Sequence, residues 1–412
     1  MAAPGNSHPA NRLLPVFSLA EIADYLIVGY WQDQKPTWGA RSWPVETTEI
    51  SYSLEGLSEA HKAIARIAFA TWDDVSALTF TEATETDAEA MIDFSTMIGG
   101  SFASVDVTSA GDITEATINV DPTHAAVLNS VLTEIFVHEI GHALGLGHGG
   151  DYNGSVGGAH YRNDTLQFSI MSYRSQANFH GSTTLDVLTP QMADIYAIAE
   201  KYGAERTRTG DTSYGFNTSG LDGASAALYD FTRSGTPEDN VAPALTLYDS
   251  GGTDMLDCSG YSADQRLDLR PGHWSDVGAY RNNIGIYRTT WIENAAGGAG
   301  DDRLIGNRIA NDLYGNDGDD SLSGGGGNDR LWGGDGADLF LFGRNFGRDR
   351  IEDFEDGTDR IDLSGFGLPS WRIVLSRAEQ EEDDVVVDLA NGNELTIAGA
   401  SLADLDRSDL VL

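Results

Sequence analysis

Residues 138–148 hold three histidines and a glutamate at a spacing that can perform hydrolysis. The stretch reads TEIFVHEIGHALGLGHGGDY. His138 and His142 are four residues apart, so a helix places both imidazoles on one face, where they can grip one metal ion. Glu139 is one step round and can reach a water on that metal without ligating it. Gly145 lets the chain leave the helix sharply, and His148 can then return as a third ligand. Three neutral imidazoles keep zinc strongly Lewis acidic; its water loses a proton near neutral pH, and Glu139 is placed to accept it.

The elements that must hold these residues are legible in outline. The pattern predicts helices from Ser18 or Leu19 to about Tyr30, after a cap at Ser58, and from Asn129 or Ser130 to Leu144. A further helix begins after a cap at Thr189, with Pro190 at its first position, and stops at Gly203. Strands are expected at Glu49–Leu54, Leu78–Glu82, Ala90–Ser95, Ser101–Val107 and Ala116–Val120, with Ser101–Val107 as the edge strand that would pair with an extended peptide. Trp31, Trp38 and Trp43 are expected to pack this lobe. His160 and His180 flank the motif in sequence and are candidates to touch substrate. His61, His124 and His273 lack ligand spacing.

The second half of the chain has a different texture, with a period of nine from Gly297: GGAGDDRLI, GNRIANDLY, GNDGDDSLS, GGGGNDRLW, GGDGADLFL. The template G-G-x-G-x-D-x-U-x, with U large and apolar, describes a parallel β-roll. Its turns bring carboxylates and carbonyls around a hard cation, and oxygen-only ligands suit calcium. The candidate calcium residues are Gly298, Gly300, Asp302, Gly315, Asn316, Gly318, Asp320, Gly324, Gly325, Gly327, Asp329, Gly333, Gly334, Gly336 and Asp338. Two outlying matches, DSGGTDMLD and FEDGTDRID, add Asp249, Gly251, Asp254 and Asp359. Block two carries Ile309 for glycine and Asn311 for aspartate, so its site should be weak or missing. Without calcium the carboxylates repel one another and this half should fold poorly.

Composition narrows the partners. With 25 Lys and Arg against 64 Asp and Glu, the formal net charge of −39 argues against nucleic acid and against an anionic membrane. Cys258 is the single cysteine, so no internal disulfide forms; in the cytosol the chain would need no cross-link, and outside the cell bound metal would be the substitute. No window of the chain resembles a transmembrane helix or a classical signal peptide. Residues 1–17 read as a leader or short pro-segment, 18–220 as the catalytic domain and 221–412 as the repeat domain, with the nonapeptides at 297–341.

The motif H-E-x-x-H-x-x-G-x-x-H followed by FSIMSYRS resembles the metzincin endopeptidases. With the calcium repeats, the chain is similar to serralysin-type secreted metalloproteases over roughly residues 18–412. That resemblance implies an α+β metzincin-like catalytic domain followed by an all-β parallel β-roll. It implies a Met-turn at Met171 and, at Tyr173, an extra displaceable zinc ligand that also steadies the oxyanion. It adds Arg208, Gly210, Asp211 and Thr212 to the calcium set. It implies one catalytic zinc, several structural calcium ions, protein or peptide substrates, and a likeness to zymogens. It further implies export through a one-step type I channel read from the tail SDLVL, an extracellular monomer, and a small protein inhibitor as a partner. Gly149 departs from the family's usual proline and should loosen the exit turn, and the loops at 96–132 and 151–168 are shorter than usual. A β-roll adhesin with a decayed zinc domain, and a zinc hydrolase acting on something other than peptides, are the alternative readings.

Overall fold

The computed structural model describes residues 14–83, 90–128, 131–154, 157–221, 223–233 and 240–412. The chain divides into two units, Met1–Arg206 with Ala244–Thr246, and Thr207–Pro243 with Leu247–Leu412. The division falls earlier than the boundary expected at 220, because Ser213–Gly215 already pairs in parallel with Met255–Asp257 of the second unit.

In the first unit, β1 (Glu49–Tyr52), β2 (Thr79–Glu82), β3 (Ile92–Ser95), β4 (Phe102–Val107) and β5 (Ile113–Asn119) form one sheet in the order β2-β1-β3-β5-β4. All pairs are parallel except β4 with β5, so the expected edge strand is the one that runs antiparallel. Helix α3 (Glu59–Asp73) starts at the Ser58 cap and buries Ile64, Ala65, Ala68, Phe69 and Trp72 against the sheet side, where Phe69 stacks on Tyr52 at 3.8 Å. Helix α4 (Val131–Ala143) carries the metal motif; its expected start at Asn129 or Ser130 lies outside the described residues.

The end of α4 is held by groups far away in sequence. A helix leaves its last carbonyls without intrahelical donors. Here Trp43 Nε1 donates to the Ala143 carbonyl at 3.1 Å, Tyr202 Oη to that of Leu144 at 2.8 Å, and Trp31 Nε1 to that of Gly145 at 3.2 Å. Two of the three tryptophans therefore do more than fill the lobe, whereas Trp38 is 40% exposed and not packed as expected.

Other local expectations are corrected. The first helical run continues past Tyr30 through α1 (Leu19–Asp24), a π-helical turn at Tyr25–Gly29 and α2 (Tyr30–Gln34), because Tyr30 and Trp31 are buried. Helix α5 (Met192–Tyr202) is capped at Gln191 rather than Thr189, since the Asp194 carboxylate accepts the Gln191 amide at 2.8 Å. Most of the expected leader lies outside the described residues, but its end is not loose. Arg162 N donates to the Pro15 carbonyl, and Phe17 exchanges two hydrogen bonds with Asn163 at 2.9 Å.

The second unit is a parallel β-roll of two facing rows. One row stacks Asn294–Ala296, Asp312–Asp317, Arg330–Asp335 and Arg348–Ile351; the other stacks Arg303–Ile305, Ser321–Ser323, Leu339–Leu341 and Arg360–Asp362. Leu313 pairs with Leu331 and Leu304 with Leu322, so two nonapeptides make one full turn. Leu304, Leu313, Leu322, Leu331 and Phe340 are fully buried between the rows, as the template requires. Cys258 is buried and free. The final strand Leu410–Val411 closes the second row against Arg360–Asp362.

Candidate zinc centre

Helix α4 presents His138, Glu139 and His142, and the loop after Gly145 returns His148. The ligating atoms of the three histidines all lie within 4.8 Å of one another. His138 Nδ1 donates to the Ile170 carbonyl at 2.7 Å and His142 Nδ1 to that of Leu146 at 2.8 Å. A carbonyl can only accept, so these bonds fix the proton on Nδ1 and leave Nε2 bare for a metal. His142 Nε2 and His148 Nε2 are 3.0 Å apart, and His138 Nε2 is buried with no hydrogen-bond partner. Burial pushes His138 down to about 4, while burial and the neighbouring imidazole push His142 to about 3; His148 is lowered further by the same causes. The set is neutral, nitrogen-only and convergent, which fits zinc.

Glu139 is 7% exposed and faces the amide of Ala103 on the edge strand β4. Burial pushes its carboxyl up to about 8, with the Ala103 amide pulling the other way, and Oε2 has no partner. The group is held between the histidine cluster and the strand on which a peptide would lie.

Beneath the cluster Met171 is fully buried, and the chain needs glycine at 141 for it: a Cβ there would lie 2.6 Å from Met171 Sδ. The turn is fixed by Asp194 on α5, whose carboxylate accepts Ser169 Oγ at 2.6 Å and Ile170 N at 2.7 Å. Sequence analysis missed Asp194. Its position at N3 of a helix reads as a cap, and nothing local signals that it also reaches back to residues 169–170.

The exit turn is not loosened by Gly149. Its amide donates to the Met171 carbonyl at 3.1 Å, a bond proline cannot make, and a Cβ there would lie 2.6 Å from Asp164 Oδ1. Asp164 in turn accepts Tyr152 Oη at 2.9 Å and Ser172 Oγ at 2.7 Å. Tyr173 lies half-buried beside the cluster, its ring 4.5 Å from that of His148 and 5.6 Å from that of His138. Burial and then the Glu139 charge push its phenol up.

A cleft of about 470 Å³ opens on this site, lined by Ser101, His124, Glu134, His138, Glu139 and Tyr173 among others. His124 lines it, although its spacing marked it as unremarkable. Of the two flanking candidates, His160 turns to Asp33 Oδ2 at 3.1 Å, and His180 packs on Phe179.

In the second unit the candidate aspartates form two ladders. Along one, Gln265 N, Asp302 N, Asp320 N and Asp338 N each donate to the next carboxylate, ending at Asp359. Along the other, Asn311 N donates to Asp329 and Asp329 N to Asp349. Oδ2 of Asp254, Asp320, Asp329, Asp338 and Asp349 is buried without a partner. Burial, then neighbouring carboxylates, push Asp320 and Asp349 to about 8 and Asp329 and Asp338 to about 7. Asp349 was hidden from the template because it follows Asp329 by 20 residues instead of 18. Gly315, Gly324 and Gly333 pass so close to these carboxylates that a Cβ would come within 2.1 Å of an Oδ2.

The candidates taken from the resemblance lie beside those of the first outlying repeat match. Thr212 N donates to Asp254 Oδ1, Gly251 N to Asp249 Oδ1 and Thr253 N to Asp211 Oδ1, so the 208–212 and 249–254 segments meet. The Arg208 guanidinium turns to the Tyr248 carbonyl at 2.9 Å. At block two, Asn311 Nδ2 donates to the Glu293 carbonyl at 2.7 Å and Oδ1 accepts Asn307 N at 2.7 Å.

The comparisons agree with this geometry. The family model "Peptidase M10 serralysin C terminal" matches residues 204–409, and the model "Matrixin" matches residues 42–172. The chain is 37% identical to metallopeptidase AprA of Pseudomonas marginalis, covering 85% of this chain and 77% of that protein. It is 40% identical to serralysin A of Dickeya chrysanthemi over 74% of this chain and 66% of that one. It is 38% identical to serralysin of Photorhabdus luminescens over 76% of this chain and 67% of that one. This chain thus spans about two thirds of the latter two relatives.

Proposed function

Since this chain belongs to the serralysin family of metallopeptidases, we propose that it is a secreted zinc endopeptidase whose general base is Glu139. The observation that carries this reading is the convergence of three neutral imidazoles with a buried carboxylate one helical step away. His138, His142 and His148 would hold the metal. When bound, zinc polarises the scissile carbonyl and acidifies the attacking water. A substrate strand adds to β4 through backbone hydrogen bonds, which lays the scissile bond beside Glu139. Glu139 takes the proton from the attacking water and passes it to the leaving amine. Tyr173, whose ring lies against His138 and His148, can serve as the displaceable further ligand and then donate its phenol proton in a hydrogen bond to the oxyanion.

The aspartate ladders are calcium sites in this reading, supported by the unpartnered buried oxygens of Asp320, Asp329, Asp338 and Asp349. The domain roles, 18–220 catalytic and 221–412 calcium-binding, carry over with the boundary moved to Arg206–Thr207. Export by a type I channel, a proteinaceous inhibitor and activation by removal of a leader are carried over from the resemblance. The anchoring of Pro15–Phe17 supports a cleavage point ahead of them.

The test is casein hydrolysis in millimolar calcium before and after zinc is stripped from the protein. Activity lost on stripping and restored by zinc alone is the expected result; activity indifferent to zinc contradicts it.

A further inference from the structure

The cleft beside the zinc centre contains a carboxylate that the reaction does not use. Glu134 lies on α4 four residues before His138, so both side chains emerge on the same face of the helix. Its side chain lines the same cleft as His138, Glu139, Leu166 and Tyr173. Oε2 is fixed by the Val187 amide, which donates to it at 2.7 Å. The neighbouring carboxylate of Asp186 faces the Val131 amide at the start of the same helix and adds a second negative charge. Among the described residues no lysine or arginine forms an ion pair with Glu134. Burial, then Asp186, push the Glu134 carboxyl up to about 7. The protein has thus placed a partly desolvated carboxyl group, which a nearby cation would ionise, in the wall of its substrate cleft, and among the described residues no lysine or arginine pairs with it. His124 is the one other titratable side chain outside the catalytic set among the residues that line the cleft.

We propose that Glu134 is a specificity-determining residue that selects peptides with an arginine or lysine side chain next to the scissile bond. A peptide whose carbonyl reaches the histidine cluster must place one flanking side chain in this cleft. A guanidinium or ammonium there meets Glu134 and supplies the missing counter-charge through a charge-assisted hydrogen bond. A neutral side chain leaves the carboxylate unbalanced, and an acidic one adds a third negative charge beside Glu134 and Asp186. The inference rests on the endopeptidase reading above.

The experiment digests a proteome-derived peptide library with the zinc- and calcium-loaded protein and reads the cleavage sites by mass spectrometry. It then compares kcat/KM for one lysine-containing peptide and its norleucine analogue, for the native protein and for Glu134→Gln. Glutamine keeps an acceptor for Val187, so the local backbone is preserved. The native protein should enrich arginine and lysine at one position flanking the cut and prefer the lysine peptide by about tenfold. Glu134→Gln should bring that ratio close to one while cleaving the norleucine peptide within about twofold of the native rate. A native profile without cationic preference, or a preference that survives Glu134→Gln, overturns the assignment while leaving the endopeptidase intact. No cleavage anywhere in the library overturns both.

Discussion

Asp194 Oδ2 accepts the amide of Ile170 at 2.7 Å, and the carbonyl of that same residue accepts His138 Nδ1 at 2.7 Å. A fully buried carboxylate on α5 thereby holds in place the residue whose carbonyl fixes the tautomer and angle of His138. Groups that orient metal ligands in this way typically contribute 10–100-fold in metal affinity, by order of magnitude. Asp194→Ala should weaken zinc binding by about that factor, measured by competition with a chromogenic chelator. Activity should largely return at saturating zinc. Unchanged zinc affinity would reduce Asp194 to a helix cap.

Asn311 makes a hydrogen bond at a rung where the proposed calcium ladder would hold an ion. Its amide donates to the Glu293 carbonyl at 2.7 Å, where an aspartate would present a second oxygen. Two oxygens at that distance need a cation between them. Asn311→Asp should therefore raise the calcium stoichiometry by one ion in equilibrium titration and lower the stability of the calcium-free protein. An unchanged stoichiometry would show that the rung lacks its other ligands.

The aspartate ladders make the calcium-free second unit sensitive to pH. Asp320, Asp329, Asp338 and Asp349 are raised from an ordinary 3.8 to between about 7 and about 8. A carboxyl that holds its proton more tightly when folded favours folding at acid pH, and the advantage is lost as pH rises through the folded value. Without calcium, the thermal midpoint of this unit should fall steadily between about pH 4 and pH 8. With saturating calcium the trend should flatten or reverse, because the ion takes the place of the protons. A calcium-free midpoint that rises with pH across this window would contradict the ladder as described.

The zinc motif and the nonapeptide phase were readable because each is local. His138, Glu139 and His142 need only a helix, and Leu304, Leu313, Leu322, Leu331 and Phe340 need only a period. The β1–β5 strands were likewise visible from short apolar runs. The unread parts depend on partners distant in sequence. Asp194 acts on residues 169–170, Trp31 and Trp43 on the end of α4, and Glu134 on Val187. Asp349 escaped because an insertion broke the repeat before it. Gly149 was misjudged because a glycine in a turn reads as slack, whereas here its missing Cβ makes room for Asp164 and its amide ties the third ligand to the Met-turn.

The most direct measurement is casein hydrolysis by zinc- and calcium-loaded protein beside Glu139→Ala, with zinc content determined on both samples. Glu139 touches no histidine ligand through a hydrogen bond, so the variant should hold a full complement of zinc. Removal of a general base lowers the rate by about 10²–10⁴-fold, so its turnover should fall to a hundredth of native or less. Zinc retained with more than about a tenth of native activity would contradict the assignment of Glu139 as the base, since a general base contributes at least about 10²-fold.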